Sequence, residues 1–270
     1  MKTAIMQLAV TDGENRRQRM ERVKKLFDRL ELEKQKPDLL IFPELWANGF
    51  QDYDRYHAQA EILKGESWSL MSEGARRLNC YVHGGSFVAK EQREDGNFFY
   101  YNTSLLFDRQ GRVVTKYEKM HLFGFQSKEQ KLLTPGRSVS VSQTEFGLTG
   151  LVTCYDLRFA EQFRLEEVPE IFLCTAAWPK QRLSHWRLFN QMRAVENQCI
   201  VISCNTVGTQ AGCTCAGHSM VTDPWGNILA EAGEEEELLW VDVDVSEVSK
   251  CRNSFPALAD RVEIKEGKRV

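Results

Sequence analysis

Two reactive side chains stand where short apolar segments of the sequence end. Glu44 follows residues 38–42 (DLLIF), and Cys154 follows residues 148–153 (LTGLVT). A third group, Lys119, lies among apolar and aromatic residues. A free cysteine thiol has a pKa of about 8.5, so attack on an amide carbon at neutral pH needs a base or a nearby positive charge. Glutamate and lysine supply both, which predicts amide chemistry on the cysteine.

The expected reaction assigns one step to each group. Glu44 takes the thiol proton, and Lys119 offsets the charge that develops on the carbonyl oxygen, helped by the backbone N–H that follows Cys154. Loss of ammonia leaves a thioester intermediate on Cys154, which a water activated by Glu44 hydrolyses. This scheme needs no metal ion and no cofactor.

Each of the three positions alone also fits a structural role. Cysteine is a common core residue, and Cys174 ends a similar apolar segment. Glu44 fits a surface residue or a charge at a helix N-terminus, and Lys119 fits a surface lysine at a strand end. The catalytic interpretation therefore depends on the three residues meeting in the fold.

Alternating short apolar segments and helical segments predict the elements that position these residues. The predicted strands are residues 3–9, 38–42, 81–88, 100–107, 148–154, 170–174, 199–204 and 238–243. Amphipathic helices are predicted over 14–32 and 186–198, the second with Leu188, Phe189, Met192 and Val195 on its apolar face. Turn sequences at 108–111 and 223–226 predict antiparallel hairpins. The pattern is that of a layered α/β domain, in which sites lie at the carboxyl ends of strands such as the one before Cys154.

Composition limits the class of protein. The chain has 270 residues, 42% of them hydrophobic, and 35 Lys plus Arg against 38 Asp plus Glu give a net charge of −3. This balance argues against nucleic acid as a partner. Apolar runs are far shorter than the roughly 20 residues that cross a membrane. Because no segment has the composition of a linker, we expect one domain over residues 1–270. The eight cysteines are unevenly spaced, which predicts reduced thiols. With no recognisable signal sequence, we expect no membrane association and a cytoplasmic location.

Three segments taken together resemble a known family. Residues 42–46 (FPELW), 117–122 (YEKMHL) and 152–159 (VTCYDLRF) closely resemble, in order and separation, the Glu, Lys and Cys signatures of the nitrilase superfamily of carbon–nitrogen hydrolases. The resemblance runs nearly end to end and includes residues 133–136 (LTPG), 193–197 (RAVEN) and 217–226 (GHSMVTDPWG). It implies an α/β fold, specifically a four-layer α-β-β-α sandwich that forms a homodimer through one face, with Glu44, Lys119 and Cys154 as catalytic residues.

Finer motifs are most similar to the ω-amidase branch of that superfamily. These are residues 154–159 (CYDLRF), 178–179 (WP) and 185–186 (HW). Members of the branch hydrolyse the terminal amide of 2-oxo acid amides such as 2-oxoglutaramate, so the resemblance implies a small carboxylate-bearing amide as substrate. Glu129 matches a second glutamate of many members, which helps to hold the lysine and the substrate. The alternative substrates are N-carbamoyl amino acids or aliphatic amides, and the alternative class is a non-catalytic member that binds a partner.

Arg158 and Tyr155, close to Cys154, are the predicted substrate-binding residues. The planar guanidinium of Arg158 suits bidentate binding of a substrate carboxylate. An equally good interpretation is a salt bridge from Arg158 to Asp156 or Glu196 that braces the loop after Cys154.

Two further groups of side chains are given structural roles. His121 fits a hydrogen-bonded histidine beside the site better than a catalytic base, because the scheme already has its base. Residues 204, 213, 215 and 218 (Cys, Cys, Cys, His) lack the spacing of a common zinc module, so no metal is predicted.

Overall fold

The computed structural model describes residues 1–94 and 96–262. The strands are β1 (Lys2–Gln7), β2 (Leu39–Ile41), β3 (Tyr81–Gln92), β4 (Phe98–Phe107), β5 (Val113–Glu118), β6 (Ser140–Thr144), β7 (Gly147–Thr153), β8 (Ile171–Thr175), β9 (Ile200–Cys204), β10 (Thr209–Gln210), β11 (Cys213–Thr214), β12 (Met220–Thr222), β13 (Ile228–Glu231) and β14 (Glu237–Asp242). The helices are α1 (Arg16–Leu32), α2 (Glu66–Leu78), α3 (Glu129–Leu132), α4 (Leu183–Asn197) and α5 (Ser246–Ser254).

Two six-stranded sheets carry the fold. The first has the order β14-β1-β2-β3-β4-β5, and the second has the order β13-β12-β9-β8-β7-β6. In the first sheet the central β1, β2 and β3 are parallel, and the outer pairings are antiparallel. The second sheet repeats this scheme with β7, β8 and β9 as its parallel centre. The two parallel centres account for the buried, nearly continuous apolar strands that the sequence shows.

Three apolar layers hold the sheets and helices together. Side chains from both sheets, such as Ile5, Leu151 and Ile202, form the layer between them. On the outer face of the first sheet, Phe27 of α1 packs with residues of α2. On the outer face of the second sheet, Trp186 of α4 packs against the strands. The order helix, sheet, sheet, helix confirms the predicted four-layer α-β-β-α sandwich.

The predicted strands and both predicted hairpin turns are present. Helix α1 begins directly after a residue that caps it. Asn15 and Gln18 form a reciprocal capping box at its N-terminus. The sequence did not predict α2, which carries a glycine and three serines, residue types that disfavour helices. Gly74 is required there because a Cβ at this position would lie 2.2 Å from the ring of Phe27.

The orientation of α4 differs from the prediction. Leu188, Met192 and Val195 are 56%, 47% and 46% exposed, so these three residues of the predicted apolar face point outward, whereas Phe189 packs against the core. The buried face carries Trp186 and Ala194 together with polar residues that hydrogen-bond within the core. Helical spacing located the helix correctly, but periodicity alone does not tell which neighbour the apolar stripe meets.

A helix that crosses a bilayer needs about 20 mostly apolar residues. No helix within residues 1–94 and 96–262 is both long and apolar enough to cross a membrane.

Candidate active site

Cys154 is the first residue after β7 and begins a 3-10 turn over Cys154–Arg158. Its φ of +50° lies in the left-handed region, which is uncommon for a residue with a side chain. Asp156 holds this conformation, since its Oδ2 accepts a 2.9 Å hydrogen bond from the N–H of Thr153. A strained residue fixed in this way directs its side chain from the sheet edge into a cleft.

Glu44 and Lys119 come from the first sheet, whereas Cys154 comes from the second. Glu44 stands three residues after β2, and Lys119 directly follows β5. Nζ of Lys119 lies 2.8 Å from Oε1 of Glu44, and the other carboxylate oxygen of Glu44 accepts a 2.9 Å hydrogen bond from the N–H of Ala177. Cys154 lines the same pocket as Glu44 and Lys119, and the charges of both groups act on its thiol. The structure thus brings together all three residues that the sequence singled out.

Glu129, the first residue of α3, completes the cluster. Its Oε1 and Oε2 lie 3.0 and 3.1 Å from Nζ of Lys119, and Oε2 also accepts a 2.7 Å hydrogen bond from the N–H of Phe123. Glu44, Lys119 and Glu129 are all less than 5% exposed. The lysine is therefore clamped between two buried carboxylates, and the supporting role of Glu129 in the reaction stays a prediction.

Asn102, on β4, is a member of the cluster that the sequence analysis missed. Its amide nitrogen donates to Oε1 of Glu44 at 2.8 Å and to Oε1 of Glu129 at 3.2 Å. An asparagine within a strand carries no local signal of this role. Its partners lie 58 and 27 residues away in the chain.

The protonation states follow from burial and from these neighbours. Burial alone lowers the pKa of Lys119, but the charges of Glu129 and Glu44 outweigh it and raise that pKa well above its usual value. Burial and the charge of Glu44 raise the pKa of the Cys154 thiol well above its usual value, although Lys119 opposes them. The resting site therefore holds a charged ammonium and a neutral thiol beside a carboxylate that can accept its proton.

A pocket of about 290 Å³ opens above the cluster. This volume is near the lower end for small-molecule sites and suits a compact metabolite. Both predicted substrate-binding residues, Tyr155 and Arg158, line the pocket. The remaining wall combines polar side chains, among them Gln51, Gln126, Gln181 and Arg182, with six aromatic residues: Phe50, Tyr53, Tyr56, Phe123, Phe125 and Trp178.

The bracing salt bridges considered for Arg158 are absent from the described residues. Asp156 instead accepts hydrogen bonds from Tyr117 and His121, and Glu196 pairs with Arg193. Arg158 faces the pocket, where its guanidinium lies 5.0 Å from the ring centroid of Trp178. Its position agrees with the carboxylate-binding alternative.

His121 lies beside the cluster in a structural network. Its Nδ1 is 2.8 Å from Oδ1 of Asp156, and its ring stacks on Phe159 at a centroid distance of 3.7 Å. The pKa of His121 is raised, chiefly by the hydrogen bond to Asp156. These contacts match the structural role expected for it.

Cysteine, histidine and carboxylate side chains are the usual protein ligands of metal ions. Within residues 1–94 and 96–262, no three His, Cys, Asp or Glu side chains are arranged to hold a metal ion. All eight cysteines are free thiols, and only Cys213 among them is more than slightly exposed.

The chain belongs to the carbon-nitrogen hydrolase family, whose model matches residues 2–253. It is similar to a 2-oxoglutaramate amidase of Paenarthrobacter nicotinovorans, with 39% identity over 232 residues that cover 84% of this chain and 79% of the relative. A 2-oxoglutaramate amidase of Bacillus subtilis is 31% identical, with coverage of 89% and 91%. The mouse omega-amidase NIT2 is 32% identical, with coverage of 86% and 85%.

Solved structures agree on the fold. Nit3 of Saccharomyces cerevisiae, a member of branch 10 of the nitrilase superfamily, aligns with a TM-score of 0.83, 27% identity, and coverage of 95% of this chain and 94% of that one. A CN-hydrolase superfamily protein of Xanthomonas campestris aligns with a TM-score of 0.85, 25% identity and 99% coverage of both chains. The predicted membership of the nitrilase superfamily and its amidase class are confirmed.

Proposed function

We propose that this protein hydrolyses the terminal amide of 2-oxo acid amides such as 2-oxoglutaramate, releasing ammonia. The observation that carries the proposal is the buried cluster of Glu44, Lys119 and Cys154 at the base of a small pocket. Arg158, without a carboxylate partner among the described residues, supplies the cation that a substrate carboxylate needs. The names of the relatives support the same substrate class.

In the first half of the reaction, Sγ of Cys154 attacks the amide carbon while its proton passes to Glu44. Nζ of Lys119 and the N–H of Tyr155 stabilise the negative oxygen of the tetrahedral intermediate. When this intermediate collapses, the C–N bond breaks and Glu44 returns the proton to the leaving nitrogen. Ammonia departs, and a thioester on Cys154 remains.

The second half regenerates the enzyme. Glu44 removes a proton from a water molecule that attacks the thioester carbon. The C–S bond breaks, and Cys154 recovers its proton as the carboxylic acid leaves. Asn102 holds Glu44 and Glu129 holds Lys119 through both halves, since these hydrogen bonds fix the two groups in a buried site.

Ammonia release tests this function. The purified protein is assayed with 2-oxoglutaramate, with an N-carbamoyl amino acid and with a neutral aliphatic amide. We expect the highest kcat/KM with 2-oxoglutaramate. A preference for the carbamoyl compound or the neutral amide contradicts the substrate proposed, and no release from any amide supports a non-catalytic member of the family.

We further propose a cytoplasmic homodimer. Eight free thiols suit a reducing compartment. The exposed stripe of Leu188, Met192 and Val195 on α4 supports a two-fold contact in which the stripe of one copy packs against that of the other. Light scattering is expected to give twice the mass of the 31.1 kDa chain, and Leu188→Glu is expected to give monomers.

A further inference from the structure

Two arginines without acidic partners share the active-site pocket. Arg158 and Arg182 both line it, and neither forms an ion pair with any residue of 1–94 and 96–262. The one polar side-chain partner of Arg158 is Nδ1 of His185, at 3.2 Å. The guanidinium of Arg182 has no hydrogen-bond partner in the same part of the chain.

Aromatic rings hold both guanidinium groups at the pocket wall. Arg182 lies 5.7 Å from the ring centroid of Phe123 and 5.6 Å from that of Phe125. Arg158 lies 5.0 Å from the ring centroid of Trp178 and 5.1 Å from that of Phe189. Such cation–π contacts fix the direction of a guanidinium and leave its N–H groups free for a ligand.

The surroundings of the two cations favour an anion between them. Burial lowers the pKa of Arg158, and the charge of Arg182 contributes in the same direction. Two like charges at one pocket wall repel each other until an anion enters. A single carboxylate satisfies one planar guanidinium through two parallel hydrogen bonds, so the second guanidinium needs a further acceptor.

We propose that Arg182 is a specificity-determining residue that, together with Arg158, binds the carboxylate and the adjacent oxo group of a 2-oxo acid amide. A 2-oxo acid presents three oxygens, two on the carboxylate and one on the neighbouring carbon, which is enough for both arginines. A substrate with a carboxylate but no oxo group leaves one of the two arginines without a hydrogen-bond acceptor. This inference rests on the proposed function and assigns the oxo-acid end of the substrate to a residue outside the cluster around Cys154.

The test compares three amides of equal chain length in Arg182→Gln. With 2-oxoglutaramate, kcat/KM is expected to fall about tenfold to a hundredfold, mainly through KM, the range for a lost hydrogen bond to a charged group. With glutaramate, which lacks the oxo group, the loss is expected to be several-fold smaller. With the neutral pentanamide, kcat/KM is expected to stay within about twofold of the wild type, because the variant leaves the reacting groups untouched.

Lys180→Gln is the matched control. Lys180 belongs to the same 3-10 turn, is exposed, pairs with Glu234 and does not line the pocket. Its removal takes away the same charge and is expected to leave all three kcat/KM values unchanged. Arg182→Lys keeps the charge but loses the planar guanidinium. Its kcat/KM with 2-oxoglutaramate is expected to lie between those of the wild type and Arg182→Gln.

Equal losses on the three amides, or no loss on any, overturn the role of Arg182. Isothermal titration calorimetry distinguishes a wrong role for Arg182 from a wrong proposed function. Binding of 2-oxoglutaramate and glutaramate is measured to Cys154→Ala with and without Arg182→Gln, so turnover is not needed. A selective loss of 2-oxoglutaramate binding supports Arg182 even where no ammonia is released, and equal binding with both variants contradicts it.

Discussion

The side-chain amide of Asn102 donates a 2.8 Å hydrogen bond to Oε1 of Glu44, the oxygen that also faces Nζ of Lys119. Oε1 accepts from two donors, whereas Oε2 accepts only from the N–H of Ala177 among the described residues, so Oε2 keeps a lone pair for proton transfer. Asn102 does not line the pocket, so its effect on the reaction is one of positioning.

Asn102→Ala is therefore expected to lower kcat by at least about tenfold with little change in KM, the loss expected when a buried charged group loses a hydrogen bond. Steady-state kinetics of the wild type and the variant measure kcat and KM separately. Thr103→Val, at the next residue of β4, removes a hydroxyl without a hydrogen-bond partner among residues 1–94 and 96–262, and this variant is expected to behave like wild type.

Two variants compare the contribution of the Lys119 charge with that of the carboxylate that holds it. They are Lys119→Met and Glu129→Gln. Loss of Lys119 is expected to lower kcat by at least about a hundredfold, as for other oxyanion partners. Glu129→Gln keeps an acceptor near Nζ and is expected to cost less. Circular dichroism checks that both variants fold. A rate for Lys119→Met near that of the wild type returns the lysine to a structural role.

Arg158→Lys tests the carboxylate contact of the first arginine. Lysine keeps the charge but loses the two parallel N–H groups, so KM is expected to rise much more for a carboxylate-bearing amide than for a neutral amide of similar size. Equal increases for both amides indicate that Arg158 supports the pocket wall through its aromatic contacts. Unchanged kinetics remove it from the site.

The burial of His83 makes the free energy of unfolding depend on pH. His83 is fully buried between Ile41 and Leu106 of neighbouring strands, and neither ring nitrogen has a hydrogen-bond partner within the described part of the chain. Burial lowers the pKa of His83 to about 3. As pH falls below about 6.5, the unfolded chain binds a proton at this histidine and the folded chain does not, so the free energy of unfolding decreases.

From pH 7.5 to pH 5 this group is expected to contribute a loss of about 2 kcal/mol in the free energy of unfolding. Urea unfolding of wild type and His83→Leu at both pH values measures it, because the leucine variant lacks the titrating group. Parallel changes in the two proteins contradict the assignment.

Sequence reasoning was most successful where a local pattern decides the structure. The apolar strands before Glu44 and Cys154, the helix α1 and the hairpin turns each have signals within a few residues. It was less successful where partners come from distant parts of the chain. The sequence did not indicate the contact of Asn102 with two carboxylates, and spacing alone did not show that the apolar stripe of α4 faces outward.

Arg158 and Arg182 show the same limit at the pocket. The sequence left Arg158 between a substrate contact and a brace, because the partners of Asp156 and Glu196 depend on tertiary packing. It gave Arg182 no role, since Arg182 lies 28 residues after Cys154 and its contacts with Phe123 and Phe125 depend on tertiary packing. The organisation as one domain over residues 1–270 stays a prediction.

The central claim is that Cys154 forms a thioester with the acyl part of the substrate. Mass spectrometry of the protein, quenched in acid during the first turnover of 2-oxoglutaramate, tests it most directly. The account predicts a mass increase equal to the substrate minus ammonia, located on the peptide that contains Cys154 and absent from Cys154→Ala. Release of ammonia in the first turnover without any such increase, together with activity in Cys154→Ala above about a tenth of wild type, would contradict it.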